Sequence, residues 1–268
     1  MSQSQVKILA WLAAAALVAL SAWETVTLLR VHAAAPDGDD WAGVEKIVRA
    51  GWKPGDLVVF APAWMDPVGR EHLGDLLAVH DAARMDAARY GTIWEVSARG
   101  KRAPDAVGPV GPVGPVVAVV PVVPVVSDET VGALRVRRHD HVAVPVAWDL
   151  RARSRLVEID YAPHECAPLR PPTSLDAGTV ALAGHLVVYA GLADFRARRD
   201  NRAQARVRVA IDGKVVAERL VGNDDGWAAL PPIATAPGPH HLVFTSEAVP
   251  LAGQPTNLDL CIAAESRP

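Results

Sequence analysis

The feature that most constrains this chain lies at its start. From Ile8 to Ala22 it reads ILAWLAAAALVALSA with no charge, and after Trp23-Glu24 the apolar run resumes from Thr25 to Leu29. As one helix, Ile8 to Leu29 would be about 33 Å long, enough to cross a bilayer. Glu24 would then sit near the far interface, where a carboxylate costs less than at the centre. An uncleaved anchor is one reading. The other is a cleaved signal peptide, with Lys7 as a minimal basic region and Ala33-Ala34-Ala35 as a small-residue cleavage site. The stretch from Trp23 to Val31 is long for a cleavage region, and no cysteine follows the apolar run, which excludes a lipoprotein. Both readings put the bulk of the chain outside the cytoplasm; a buried core helix is a third reading of the same run. The expectation is a single-pass inner-membrane protein with a periplasmic body.

The remaining composition narrows the class. Half of the 268 residues are apolar, 21% are charged and the net charge is −3; mean hydropathy is +0.15. Disordered chains are more polar and more highly charged. A nucleic-acid binder would carry a basic excess. Two cysteines are too few for a disulfide scaffold or a four-cysteine zinc site.

After the apolar run, Asp39 and Asp40 are good helix caps, followed by Trp41, Val44, Ile47 and Val48 at helical spacing. Lys53-Pro54-Gly55 is a turn signal. Leu57 to Ala61 is a continuous apolar run, as expected of a strand buried on both faces. Asp66-Pro67 opens a second helix through about Val79, and Ile93 to Val96 is a second strand. Residues 36–103 thus form a small α/β segment. Residues 104–130 contain three Gly-Pro-Val triplets from Gly108 and then a Pro/Val run. This is too short for collagen and too proline-rich for a helix or central strand, hence a semi-extended linker.

Residues 131–268 read as short strands: Arg135–Arg137, Val142–Val144, Leu156–Ile159, Leu186–Tyr189, Arg206–Ile211, Val215-Val216 and His241–Phe244. Turn signals part them, Asp212-Gly213 being a strong hairpin signal. The expected fold is α+β with two domains. A membrane helix (1–30) leads to the small α/β segment, the linker and a C-terminal antiparallel β-sandwich of jelly-roll, galactose-binding-like type.

The stretches VEIDYAPHECAPLRPP, LVVYAGLADFRARRDNRAQARVRVAIDGKVV, NDDGWAAL and TAPGPHHLVFTSEA, with DDWAGVEKIVRAGWKPGDLVVFAPAW further forward, resemble the extracytoplasmic C-terminal region of bacterial multi-pass glycosyltransferase-like proteins of the dolichyl-phosphate-mannose type. The resemblance spans roughly residues 20–268. In that family the catalytic acids lie between early membrane helices. This chain has one apolar span and no room for such a core, so no catalytic residue carries over. The resemblance implies a non-catalytic module that binds glycan or assists a membrane glycosyltransferase. Two alternatives stand beside it: an enzyme with a site near Asp66 and Arg70, and a structural envelope protein.

Binding residues are proposed in two places. Ligands of α/β sheets favour the carboxyl ends of strands, which singles out Trp64, Asp66 and Arg70 after the first strand. Arginines recur at spacing two in Arg135/Arg137, Arg151/Arg153/Arg155, Arg196/Arg198 and Arg206/Arg208. On a strand each set lines one face, as a basic patch for phosphate or carboxylate or as ordinary outward positions. Trp227 is either core or a sugar platform. Exposure of Trp148, Tyr189, Phe195 and Trp227 would supply a sugar-stacking surface, and their burial would remove it. Cys166 and Cys261 either form a disulfide closing a loop of about 95 residues or remain two buried thiols. His139-Asp140-His141, His164-Glu165-Cys166, His240-His241 and the loop Gly222–Gly226 carry metal-ligand residue types, but turn and strand-end roles explain them equally, so no metal or cofactor is expected. No G-x-S-x-G signature or glycine-rich phosphate loop is present.

Overall fold

A computed structural model describes residues 3–33, 35–107, 124–140, 142–160, 162–193, 203–250, 253 and 256–268. It begins with helix α1 (Gln3–Ala33), whose segment Trp11–Arg30 has a mean hydropathy of 1.8 and is unburied throughout, long and apolar enough to cross a membrane.

Helix α2 (Gly38–Gly51) starts one turn earlier than the Asp39-Asp40 pair suggested. Asp37 is its cap, accepting from Asp40 N–H at 2.9 Å while Asp40 Oδ2 accepts from Asp37 N–H, a reciprocal capping box. Its apolar face (Trp41, Val44, Val48) is buried. Strand β1 (Leu57–Ala61) is buried at every position, as a two-faced strand requires. Helix α3 (Asp66–Leu73) opens at Asp66-Pro67 but ends well before Val79, because Gly74 turns the chain into a single 3-10 turn. Gly69 lets α3 lie against the Phe60 ring, where any side chain would collide. Trp41 stacks on His72 at 5.0 Å and joins α2 to α3. Helix α4 (Val79–Ala82), strand β2 (Thr92–Ala98) and helix α5 (Pro104–Val107) follow.

The next hairpin departs from the expected order. Strands β3 (Val125–Val131) and β4 (Leu134–Asp140) do not open the sandwich; β4 pairs antiparallel with β2, and the first sheet runs β1-β2-β4-β3 with β1 and β2 parallel. The physical reason lies in α2. Its apolar stripe needs a broader sheet than two strands offer, and Val96, Leu134 and Val136 share one core with Trp41, Val44 and Val48. Of the Pro/Val-rich stretch, residues 108–123 lie outside the described residues, while 125–130 are strand.

The remaining strands are β5 (Trp148–Asp149), β6 (Arg155–Ile159), β7 (Ala162–Pro168), β8 (Thr173–Leu182), β9 (His185–Leu192), β10 (Gln204–Ile211), β11 (Lys214–Val221), β12 (Ala228–Ala229), β13 (Ile233–Ala234), β14 (Gly238–Val249) and β15 (Leu260–Arg267). One sheet runs β11-β10-β14-β8. The other runs β12-β9-β15-β7-β6, with β13 on β9 and β5 on β15. All these pairings are antiparallel. Alternate residues of both sheets (Val207 and Val209, Leu242 and Phe244, Val188 and Ala190, Leu260 and Ile262) fill one shared core, which makes the pair a β-sandwich. The β10–β11 hairpin turns at Asp212 and Gly213, both at positive φ (51° and 79°), as a two-residue primed turn demands. Val142–Val144, expected as a strand, is not one: Val144 N–H donates to Ala88 O across the molecule instead.

Candidate functional site

Trp64, Asp66 and Arg70, the first proposed location, follow the carboxyl end of β1, and Arg99 lies beside Trp64. Trp64 stands just past the carboxyl end of β1 and is 53% exposed. Asp66 and Arg70, one turn apart on α3, pair at 2.7 Å. Arg99 follows β2, and its guanidinium lies 5.7 Å from the Trp64 ring centre. Because β1 and β2 are parallel, their carboxyl ends bring Trp64 and Arg99 together. Arg99 was legible only once β2 was known to pair in parallel.

Among the described residues the arginine sets do not form a common basic face. Arg196 and Arg198, with Phe195, lie outside the described residues. Arg151 and Arg153 sit in a 3-10 turn and only Arg155 begins a strand, so these three share no strand face. Arg206 and Arg208 do share a face of β10, where Glu218 of β11 and Glu247 of β14 flank them. Their charge is met by neighbouring strands, the ordinary outward positions of a sheet.

Arg135 and Arg137 also meet at one carboxylate, Asp128, but Arg135 is exposed while Arg137 is buried. Glu95 on β2 is fully buried. It accepts from Arg102 Nε at 2.9 Å and Ala103 N–H at 2.7 Å, and contacts Arg137 at 3.4 Å and His139 Nε2 at 3.2 Å. Burial pushes the Glu95 carboxyl up, but His139, the Ala103 N–H and Arg102 outweigh it and hold it below the usual range. Asp128 on β3 binds Arg135 at 2.5 Å and Arg137 at 3.3 Å. This cluster ties the chain after β2 to the sheet.

The other metal-type residues are likewise engaged. Cys166 and Cys261 form a disulfide, with Cα atoms 5.6 Å apart. His164 stacks on Trp227 at 4.5 Å, and Tyr189 stacks on the same ring at 5.7 Å. His240 pairs with Asp212 and His241 with Asp176. In the loop Gly222–Gly226, Asp225 accepts from Gly222 N–H and pairs with Arg219. Among the described residues no group of three or more His, Cys, Asp or Glu is disposed to hold a metal. Trp148, Tyr189 and Trp227 are each half-buried.

The most developed polar site was not visible in the sequence. Residues 83–89 form a strap across the outer face of the sandwich's second sheet, over β7 and β15. Ala83 O accepts from Glu165 N–H at 2.9 Å, Met85 O from Trp227 Nε1–H at 3.0 Å, and Ala88 O from Val144 N–H at 2.8 Å. Asp86 grips Arg267 with two bonds of 2.9 and 2.8 Å. Arg89 pairs with Glu265 and lies 3.9 Å from Asp149. Burial opposes the Arg267 charge, yet Asp86 and Glu265 outweigh it and raise its pKa above the ordinary arginine value. Beside the strap an open groove of about 520 Å³ is lined by Arg89, Val144, Pro145, Val146, Ala147, Trp148 and Asp149. It combines an aromatic side chain, a fixed cation and a fixed carboxylate, in the size range of small-ligand sites and at the kind of junction where such sites form.

No protein-family model matches the chain, and no curated protein matches it. Among solved structures it is similar to the CBM51-2 and INT domains of ZmpB from Clostridium perfringens, at 12% identity and a TM-score of 0.31, over 47% of this chain and 28% of that one. A likeness at that score carries no argument about function.

Proposed function

We propose that the chain is a non-catalytic, membrane-tethered extracytoplasmic module that binds glycan in support of a membrane glycosyltransferase of envelope assembly. The groove beside the strap carries this reading. An aromatic face packs against the C–H side of a pyranose, and Arg89 and Asp149, already oriented by their ion pairs, offer donors and acceptors to its hydroxyls. The Cys166–Cys261 bridge supports an oxidising compartment, since such bonds persist outside the cytoplasm. The apolar length of α1 supports the tether. The resemblance to the extracytoplasmic part of glycosyltransferase-like membrane proteins supports a place beside a transferase, and the sandwich is read as jelly-roll, galactose-binding-like.

The test is binding of envelope polysaccharide and lipid-linked oligosaccharide fragments to the full chain in nanodiscs. Saturable binding is expected, weakened about tenfold or more, ~1.4 kcal/mol, by Trp148→Ala or Asp149→Asn. Flat titrations with folded protein would remove the reading, as would binding that both substitutions leave intact.

A further inference from the structure

The start of α2 and the exposed Trp64 lie at the same end of the first sheet. Asp40, in the first turn of α2, accepts from Ala133 N–H at 3.1 Å, which puts that turn beside the β3–β4 connection. The far end of α2 reaches the other side, where Gly51 lies against the Trp94 ring. Leu134 is opposite Ala98 and Ala61 is opposite Ser97, so the β3–β4 turn and the carboxyl ends of β1 and β2 coincide. Trp64 and Arg99 follow directly on those two strand ends.

Chain length fixes how far this end can lie from a membrane. The apolar run of α1 ends at Leu29 and the helix continues to Ala33, a further rise of about 6 Å. Residues 34–37 then span at most about 14 Å before α2 begins. The sheet end is therefore held close to the headgroup layer of any bilayer that α1 crosses. At this end Ala63, Trp64, Pro67 and Val68 are all exposed, Trp64 by 53% and Val68 by 38%. Tryptophan at an interface buries its ring at headgroup level while its N–H stays wet.

We propose that Ala63, Trp64, Pro67 and Val68, flanked by Arg99, dock the first sheet onto the interface of the bilayer that α1 spans. The proposal rests on the tether reading. Charge is not its driving force. Arg30, Arg70, Arg99 and Lys101 share this region with Asp37, Asp39, Asp40 and Asp66, so the local balance is even, unlike the basic clusters that seek anionic lipid. Docking on zwitterionic phosphatidylcholine, insensitive to salt, follows from that balance. Its consequence is orientation: the sandwich and its groove are held at a set height instead of swinging on the tether.

The experiment uses the full chain in phosphatidylcholine nanodiscs and compares its tryptophan emission with that of Trp64→Phe. The difference spectrum belongs to Trp64. A blue-shifted difference that is lost in bilayers of brominated lipid, at low and high salt alike, is expected. A difference at the wavelength of a water-exposed indole, unaffected by bromine, in a chain that resists alkaline carbonate extraction overturns the docking alone. Release of the chain by carbonate overturns the tether, and the docking with it. A nitroxide on Lys53→Cys, at the opposite end of the sheet, should stay aqueous; the same lipid accessibility at both ends would also overturn the proposal.

Discussion

Arg267, the penultimate residue, clasps Asp86 through two hydrogen bonds of 2.9 and 2.8 Å that span 181 positions of chain. Both side chains are largely buried, at 9% and 20% exposure. A buried pair adds little relative to an apolar substitute, but losing one partner strands the other charge. Asp86→Ala is therefore expected to destabilise the protein by about 3 kcal/mol. Because Asp86 sits on the strap, the same variant should also open residues 83–89 to limited proteolysis. Urea unfolding and protease mapping check both, and an unchanged midpoint would show that Glu265 alone satisfies Arg267.

The disulfide should behave as a buried staple. Both cysteines are fully buried, on strands β7 and β15 that pair directly. Reductant can then reach the bond only when the sandwich opens, so the reduction rate in the native protein should track the unfolding rate. The double variant Cys166→Ala/Cys261→Ala releases a loop of 95 residues, with an expected cost of about 2–4 kcal/mol. Rapid reduction of the folded protein would contradict the buried placement.

Glu95 gives the acid limb of stability a defined origin. Its carboxyl is held below the ordinary value of 4.5. A depressed acid contributes stability that is fully present above the unfolded-state pKa and lost as pH falls through the folded-state one. The protein should therefore weaken progressively below about pH 4.5. Glu95→Gln should flatten that part of the curve while lowering stability at neutral pH, because Arg102 and Arg137 lose their carboxylate. Chemical denaturation between pH 3 and 7 reads both effects; parallel acid limbs in the two proteins would assign the loss to other groups.

Local signals carried much of the fold. Leu57–Ala61 announced a doubly buried strand through its unbroken apolar run, and Asp212-Gly213 announced its turn through the need for positive φ. What the sequence could not show were relationships across the chain. Leu134–Asp140 alternates like a sandwich strand, and only the demand of α2 for a wider apolar sheet sends it to β2. The same pairing turns Arg137 and His139 inward onto Glu95, where spacing alone suggested an outward basic face. The strap is harder still, since residues 83–89 carry no periodicity and are fixed by bonds to Val144, Glu165, Trp227 and Arg267.

Trp227 separates packing from recognition. Its ring stacks with both His164 and Tyr189, it packs beside the disulfide, and its N–H is spent on Met85 O. A ring covered on this scale is a structural member. Trp227→Ala should cost about 3 kcal/mol through the void it leaves. Trp227→Phe should keep most of the stack and lose chiefly the bond to Met85, about 1 kcal/mol. In Trp227→Phe the strap that carries Arg89 keeps its bonds to Val144, Glu165 and Arg267, so at a temperature where that variant is fully folded its glycan affinity should match the wild type. Denaturation midpoints paired with glycan titrations decide the matter: a Trp227→Phe variant that keeps its stability but loses binding would move the recognition surface from the groove to this stack.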